Sequence, residues 1–470
     1  MTSTEDRIAK LEAQVGLLLE ALAERDAEIV LLKARVAELE TLLGQNSTNS
    51  HKPPSTDPPG TRPNKPATGR RPGGQPGHKG HKRVMLPPEK VTRRTVILPS
   101  ICAGCGGSHV TRTDLEPRVH QVVDVPEIRP AVHEITMHAV SCRDCNRTTW
   151  GALPPDVPSH MFGPRLLAFI GYFLATRTSR RQLREVLVEI FGIPVSLGAL
   201  SEAEERVSSA IAAPVDAAAA YVQGHPVKHV DASTWRIAGN YAALWTIATK
   251  LVAVFFVTAD ACGATISGLL GTLRGIMVTD RGSQFGFWAM NRRQVCWAHL
   301  LRKFVAFSQM SGEPAQIGNG LLLIAQAMLS AWQQVRDGTL SRAKYQRMVP
   351  GAMEAIERLL ARGVELRLRG VSGSCQDVLD HKLALFTFAF EAGVEPTNNH
   401  AERALRAFVL WRKVSYGSQS ERGCVFAQRI MTVLHTCRLQ HRSVLGFLLE
   451  ACHAYRLGAL APSLIPSTTP

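Results

Sequence analysis

Three acidic residues far apart in the chain could act together. Asp231 ends the run Pro226-Val227-Lys228-His229-Val230-Asp231, Asp280 ends Gly275-Ile276-Met277-Val278-Thr279-Asp280, and Glu402 lies in Pro396-Thr397-Asn398-Asn399-His400-Ala401-Glu402-Arg403. Carboxylates on neighbouring strands can share hard divalent cations such as Mg²⁺ or Mn²⁺, which take oxygen ligands. Other readings stay open for each residue. An Asp alone also suits a strand-end turn, and Asp260 competes with Asp280 as the second acid. Glu402, three residues after Asn399, also suits a capping box folded back on its own helix. Arg403, Arg406, Arg412 and Lys413 follow and are spaced to meet phosphate.

A second chemistry sits earlier. Cys102-Ala103-Gly104-Cys105 and Cys142-Arg143-Asp144-Cys145 are separated by 36 residues that include alternating stretches at 119–125 and 135–140. Two such pairs with β alternation between them outline a zinc ribbon. Four thiolates close a tetrahedral shell around a structural Zn²⁺ and leave no open position. Redox or incidental pairs are the alternative. The other six cysteines are scattered, as buried thiols in a reducing compartment would be.

The acids need a scaffold, and the sequence predicts one. Strand-like runs at 226–231, 242–248 and 251–257 precede a helical stretch near 264–273 and a fourth strand at 275–280. Three strands, a helix and a strand open a ribonuclease-H-like α/β fold, with Asp231 and Asp280 on neighbouring strands. Upstream, 163–222 is helix-patterned. A helix at 181–191 is broken by Gly192-Ile193-Pro194, and Ser196 caps the next from Leu197, an arrangement shared by scaffold helix pairs and helix-turn-helix DNA readers.

The N-terminal segment repeats every seven residues. One position holds Ile8, Val15, Leu22, Ile29, Val36 and Leu43, the other Leu11, Leu18, Arg25, Leu32 and Leu39. β-branched residues at the first position with Leu at the second favour a parallel two-stranded coil, hence a homodimer. A single amphipathic helix lying on its own domain is the alternative. Residues 44–98 then hold 11 Lys/Arg against 2 Asp/Glu in a Pro/Gly-rich stretch, including Lys79, Lys82 and Arg83. Such a segment either lies along phosphates or serves as a solvated linker.

The 470 residues carry a net charge of +15, which points to a polyanionic partner and, more weakly, to an anionic membrane surface. The longest apolar run, residues 166–175, is about half of what a bilayer needs, so no membrane span is expected. An acidic, polar start without a basic region leads us to expect a cytoplasmic protein, associated with the nucleoid when bound to DNA.

Taken together, these motifs resemble the DDE transposases of the insertion-sequence sixty-six family. The resemblance rests on residues 46–54, on Gly73-Gly74-Gln75-Pro76-Gly77-His78-Lys79-Gly80-His81, on the paired cysteines, on Cys296-Trp297-Ala298-His299-Leu300-Leu301-Arg302-Lys303-Phe304, on Asn398–Arg406 and on Trp411–Gly423. It implies a bacterial insertion-sequence transposase that binds terminal inverted repeats and catalyses Mg²⁺-dependent strand cleavage and transfer. Its DDE acids would be Asp231, Asp280 and Glu402, holding two ions, with small accessory proteins of the same element as further partners. Two departures stand out. Ala232-Ser233 follow Asp231 where the family usually has Glu-Thr, and Asp280-Arg281-Gly282-Ser283 replaces the usual Asp-Gly-Tyr type. A non-enzymatic DNA-binding regulator, an inactive copy, or a ribonuclease-H-like nuclease or resolvase would share many of these features.

The expected fold class is therefore multidomain α+β. We expect a coiled coil over 1–43, a basic linker over 44–98, a zinc ribbon over 99–155 and a helix-turn-helix-like region over 156–223. A catalytic domain over 224–455, with a helical insertion at about 305–388, precedes a tail over 456–470.

Overall fold

The computed structural model describes residues 84–154 and 157–467, with scattered positions between 15 and 80. Most of the heptad segment and Lys79, Lys82 and Arg83 lie outside the described residues. The described heptad positions Val15, Leu22, Arg25, Ile29, Leu32, Val36 and Leu43 are helical and exposed. The chain divides into two compact units, one of residues 62–131 and one of residues 1–61 with 132–470.

The described part of the smaller unit contains no β-strand. The strand expected at 119–125 is absent, and its Val119, Val122, Val123 and Val125 are exposed. Alternation alone does not make a strand, because unpaired backbone groups need a partner to form a ladder. In the larger unit the expected strand at 135–140 shrinks to β1 (Ala139–Ser141), antiparallel to β2 (Thr148–Trp150).

Four helices follow: α1 (Pro164–Ala175), α2 (Arg180–Phe191), α3 (Leu197–Ala210) and α4 (Ala212–Gly224). Ser179 and Gln182 form a capping box on α2, Gly192 ends it in the left-handed region, and the Ser196 hydroxyl accepts from the Ala199 N–H. The buried Glu204 on α3 accepts both ends of the Arg180 guanidinium at 2.7–3.0 Å, which locks α2 to α3.

The central sheet contains β3 (Val227–Ile237), β4 (Asn240–Ala248), β5 (Ala253–Thr258), β6 (Ile276–Thr279) and β7 (Arg293–Val295), with α5 (Gly263–Leu270) between β5 and β6. Its order is β5-β4-β3-β6-β7. The first three strands are antiparallel, and β6 and β7 join parallel. Ala238 and Gly239, both with positive φ, make the two-residue turn from β3 to β4.

Beyond the sheet run α6 (Trp297–Ser308), α7 (Glu313–Arg336), α8 (Arg342–Glu365), α9 (Ser372–Asp380), α10 (Thr387–Phe390), α11 (Asn399–Ser415), α12 (Glu421–Leu439) and α13 (Val444–Leu457). They serve two cores. The sheet packs with α1–α5 and α11–α13, whereas α6–α10 build a second core with Val278 and Val295 on its sheet side.

Both sheet edges are closed by side chains. On α12, Gln428, Thr432 and Thr436 accept from the N–H groups of Val257, Phe255 and Ala253 on β5. Four helical residues rise about 6 Å and two strand residues about 6.6 Å, so the two series keep step. At the other edge Gln294 of β7 donates to the Leu385 carbonyl and accepts from the Phe388 N–H. Neither edge is left as a template for further strands.

Candidate active site

Sheet register places the first two acids. His229 lies opposite Val278 in the parallel pairing of β3 with β6, so Asp231 and Asp280 lie two residues further along adjacent strands in the same direction. Each is oriented locally: Asp231 Oδ1 accepts from the Ala232 N–H and Asp280 Oδ1 from the Gly282 N–H, both at 2.9 Å.

Glu402 arrives on the first turn of α11. The capping-box alternative does not hold, because no side chain caps this helix. Instead, Asn398 donates from Nδ2 to the Val230 carbonyl at 2.7 Å, beside Asp231. The Asn398 N–H donates to Cys296 Sγ at 3.2 Å, and the Trp297 N–H donates to the Pro396 carbonyl. The start of α11 is thereby tied to β3 and to the start of α6. Glu402 Oε1 accepts from the Cys296 thiol at 3.6 Å and lies 3.8 Å from His299 Nδ1.

The three acids share one electrostatic environment. Burial, and then the charges of Asp280 and Glu402, push the Asp231 carboxyl up to about 7. The two buried arginines beside Asp280 are engaged elsewhere. Arg281 pairs with Asp377 of α9 at 3.2 Å, and Arg293 donates to Thr279 Oγ1 and the Asp280 carbonyl. The charges of Asp280 and Glu402 thus both reach the Asp231 carboxyl, although the three acids do not form a group with ligand oxygens within 4.8 Å of one another.

Asp260, the competing second acid, has local partners of its own. It accepts from the Cys262 N–H and the Thr265 hydroxyl at the start of α5, and bonds from the Cys262 thiol, the Thr265 hydroxyl and the Cys262 N–H hold its carboxyl down at about 2. It serves a helix terminus.

The basic residues divide. Arg403, Arg406 and Lys413 are exposed along α11, whereas Arg412 is turned onto β3 and donates to Ser233 Oγ and to the Thr234 carbonyl and hydroxyl. Just beyond, Gly417 lies so close to the Arg236 carbonyl that a β-carbon would fall 2.2 Å from it. At φ 106° it brings Ser418 alongside Ile237.

Both cysteine pairs form the same turn. In one unit the Gly106 N–H donates to the Cys102 carbonyl and the Cys102 N–H to the Gly107 carbonyl. In the other, Asn146, Cys142 and Arg147 repeat the pattern. Gly106 and Asn146 supply the positive φ each turn needs. Bonds from the Cys105 and Gly104 N–H groups lower the Cys102 thiol, and those of Cys145 and Asp144 lower Cys142. Thiols aimed this way suit a metal that takes thiolate.

The profile of the Transposase IS66 family matches residues 159–425. The chain belongs to that family. The match contains all three acids of this IS66-family protein, the helices α1–α4 and the whole α6–α10 insertion. Residues 3–84 match a family of unknown function (DUF6444), and both cysteine turns lie between the two matched stretches. The chain is also 23% identical, over 397 residues, to the uncharacterized protein y4hP of Sinorhizobium fredii (strain NBRC 101917 / NGR234), across 75% of this chain and 70% of that protein.

Several residues around the IS66-family site were missed by sequence reasoning. In the sequence Asn398 and Cys296 stand out only as members of the motifs that carry the resemblance, and Arg293 has no role there. His229 and His400, whose rings lie 4.8 Å apart, flank the site, and burial pushes His229 down to about 3. Asn398 had a visible signal, since it directly precedes a helix carrying one of the acids.

Proposed function

We propose that the chain is a DDE transposase with a ribonuclease-H-like catalytic domain. On this reading it binds the terminal inverted repeats of its element and performs strand cleavage and strand transfer. The observation that supports it is the register that sets Asp231 and Asp280 at matching positions on adjacent strands, together with the charges of Asp280 and Glu402 acting on the Asp231 carboxyl.

Asp231, Asp280 and Glu402 would hold two Mg²⁺ ions. When bound, these supply activation of the attacking oxygen and stabilisation of the leaving one in an in-line phosphoryl transfer. The protein's own residues orient the three carboxylates, through Ala232, Gly282 and Cys296, before DNA arrives. Arg403, Arg406 and Lys413 would neutralise phosphates beside the site, and the linker with Lys79, Lys82 and Arg83 would add a salt-dependent hold. The cysteine turns are read as half-sites for structural zinc, and residues 1–43 as a parallel coiled coil that pairs two copies so that two element ends can be joined.

The test is mobilisation of a selectable marker flanked by the DNA on either side of this gene. The full chain is expected to move the marker. A chain lacking residues 1–43 is expected to fail, and to scatter light as a monomer. Mobilisation by the shortened chain, or its persistence as a dimer, would refute the coiled-coil role. No mobilisation by the full chain would count against the transposase reading.

A further inference from the structure

Glu402 faces a second set of donors that the phosphoryl-transfer reading leaves unused. Cys296 Sγ, a ring nitrogen of His299 and a Glu402 carboxylate oxygen all lie within 4.8 Å of one another, the one such cluster of three among the described residues. Two of the separations are 3.6 Å, thiol to carboxylate, and 3.8 Å, imidazole to carboxylate. Metal bonds of about 2.3 Å to thiolate and about 2.0 Å to nitrogen and oxygen, at tetrahedral angles, put ligand atoms about 3.3–3.5 Å apart. The thiol–carboxylate separation is within about 0.1 Å of that and the imidazole–carboxylate separation within about 0.5 Å.

We propose that Cys296, His299 and Glu402 form a binding site for a thiolate-preferring divalent cation, Zn²⁺ being the natural occupant. The donor set decides the class of ion. One thiolate, one imidazole and one carboxylate select a borderline-soft metal and do not suit Mg²⁺. The scaffold is already rigid, because Cys296 immediately precedes α6, His299 lies one turn in, and Glu402 is on the first turn of α11. These two helix starts are tied by the bond from the Asn398 N–H to Cys296 and by the bond from the Trp297 N–H to the Pro396 carbonyl. Entry is open, since the His299 and Glu402 side chains are 18% and 27% exposed. The ion replaces the thiol proton that now points at Glu402, so binding releases one proton from Cys296. Three protein ligands leave a fourth position for water.

The consequence rests on the transposase reading. Glu402 then belongs to two sites, a hard one with Asp231 and Asp280 and a soft one with Cys296 and His299. Zinc held by the soft site competes for the carboxylate the hard site needs.

The experiment compares zinc content and cobalt spectra of the full chain with those of Cys296→Ser and His299→Ala. Each variant is expected to bind one ion fewer per chain than the wild type, whatever the cysteine turns hold. The cobalt spectrum of Cys296→Ser should also lose one thiolate's charge-transfer intensity. Because the His299 ring is partly exposed, His299→Ala keeps the test interpretable if Cys296→Ser folds poorly, with circular dichroism as the control. Equal metal content in wild type and a folded His299→Ala would overturn the proposal. Metal content is read without any cleavage, so this failure is distinct from failure of the transposase reading. Zinc is further expected to raise the Mg²⁺ needed for half-maximal nicking by the wild type.

Discussion

Asn398 is the residue on which the placement of the third acid depends. Its buried side chain joins the start of α11 to the carbonyl of Val230, next to Asp231. Replacing it with Ala leaves that carbonyl unpaired in the interior, a loss of about 1–3 kcal/mol. We expect Asn398→Ala to show that loss in urea unfolding, and to lower the rate of Mg²⁺-dependent nicking at least tenfold with DNA affinity kept. Unchanged stability would show that the bond does not hold the helix. The acids were legible in the sequence because each ends an apolar run or opens a helix with a clear start signal. Their supports were not. Asn398, Cys296 and Arg293 act through contacts across more than 10 to more than 150 residues of chain, and no local pattern announces them.

Among the elements, α12 and β5 make the most specific fit. Thr432 and Thr436 are buried and spend their hydroxyls on backbone N–H groups of the edge strand. Thr432→Val and Thr436→Val keep the shape and remove the acceptor, so each should cost about 1–3 kcal/mol in chemical denaturation. A loss below about 0.5 kcal/mol in both would mean that the edge is satisfied in another way. The apolar runs made β4, β5 and β6 visible in the sequence, and Ser196 and Gly192 announced the α2–α3 break. Two features escaped. The second half of β3, Ala232-Ser233-Thr234-Trp235, is too polar to read as a strand, yet it pairs with β4 through Ile237. The short β7 is Arg293-Gln294-Val295, whose polar side chains are buried because the insertion supplies partners for Gln294 and the end of β6 supplies them for Arg293. At 119–125 the error ran the other way, since alternating valines suggested a strand where no strand pairs with them.

The whole molecule carries a pH dependence set by burial. His435 on α12 packs against Phe255, with ring centroids 5.3 Å apart, and burial of its imidazole holds it down at about 4 from an ordinary 6.5. Between these values the unfolded chain binds the proton and the folded chain does not. The associated stability is therefore fully present above about pH 6.5 and is lost as the pH falls toward 4, by about 3 kcal/mol. His435→Leu should flatten that acid slope by one proton, about 1.4 kcal/mol per pH unit, and an unaltered slope would refute the assignment. At the same scale, the +15 charge and the family membership set the partner to be tested first, which is DNA. The central claim is that Asp231, Asp280 and Glu402 act as one divalent-cation centre on that DNA. Its most direct test is strand nicking by the purified full chain on DNA carrying the flanks of its gene, with Mg²⁺ added or withheld, beside Glu402→Gln. The account predicts nicking by the wild type only with Mg²⁺, and none by Glu402→Gln although it still binds the DNA. Nicking by Glu402→Gln at the wild-type rate would contradict it.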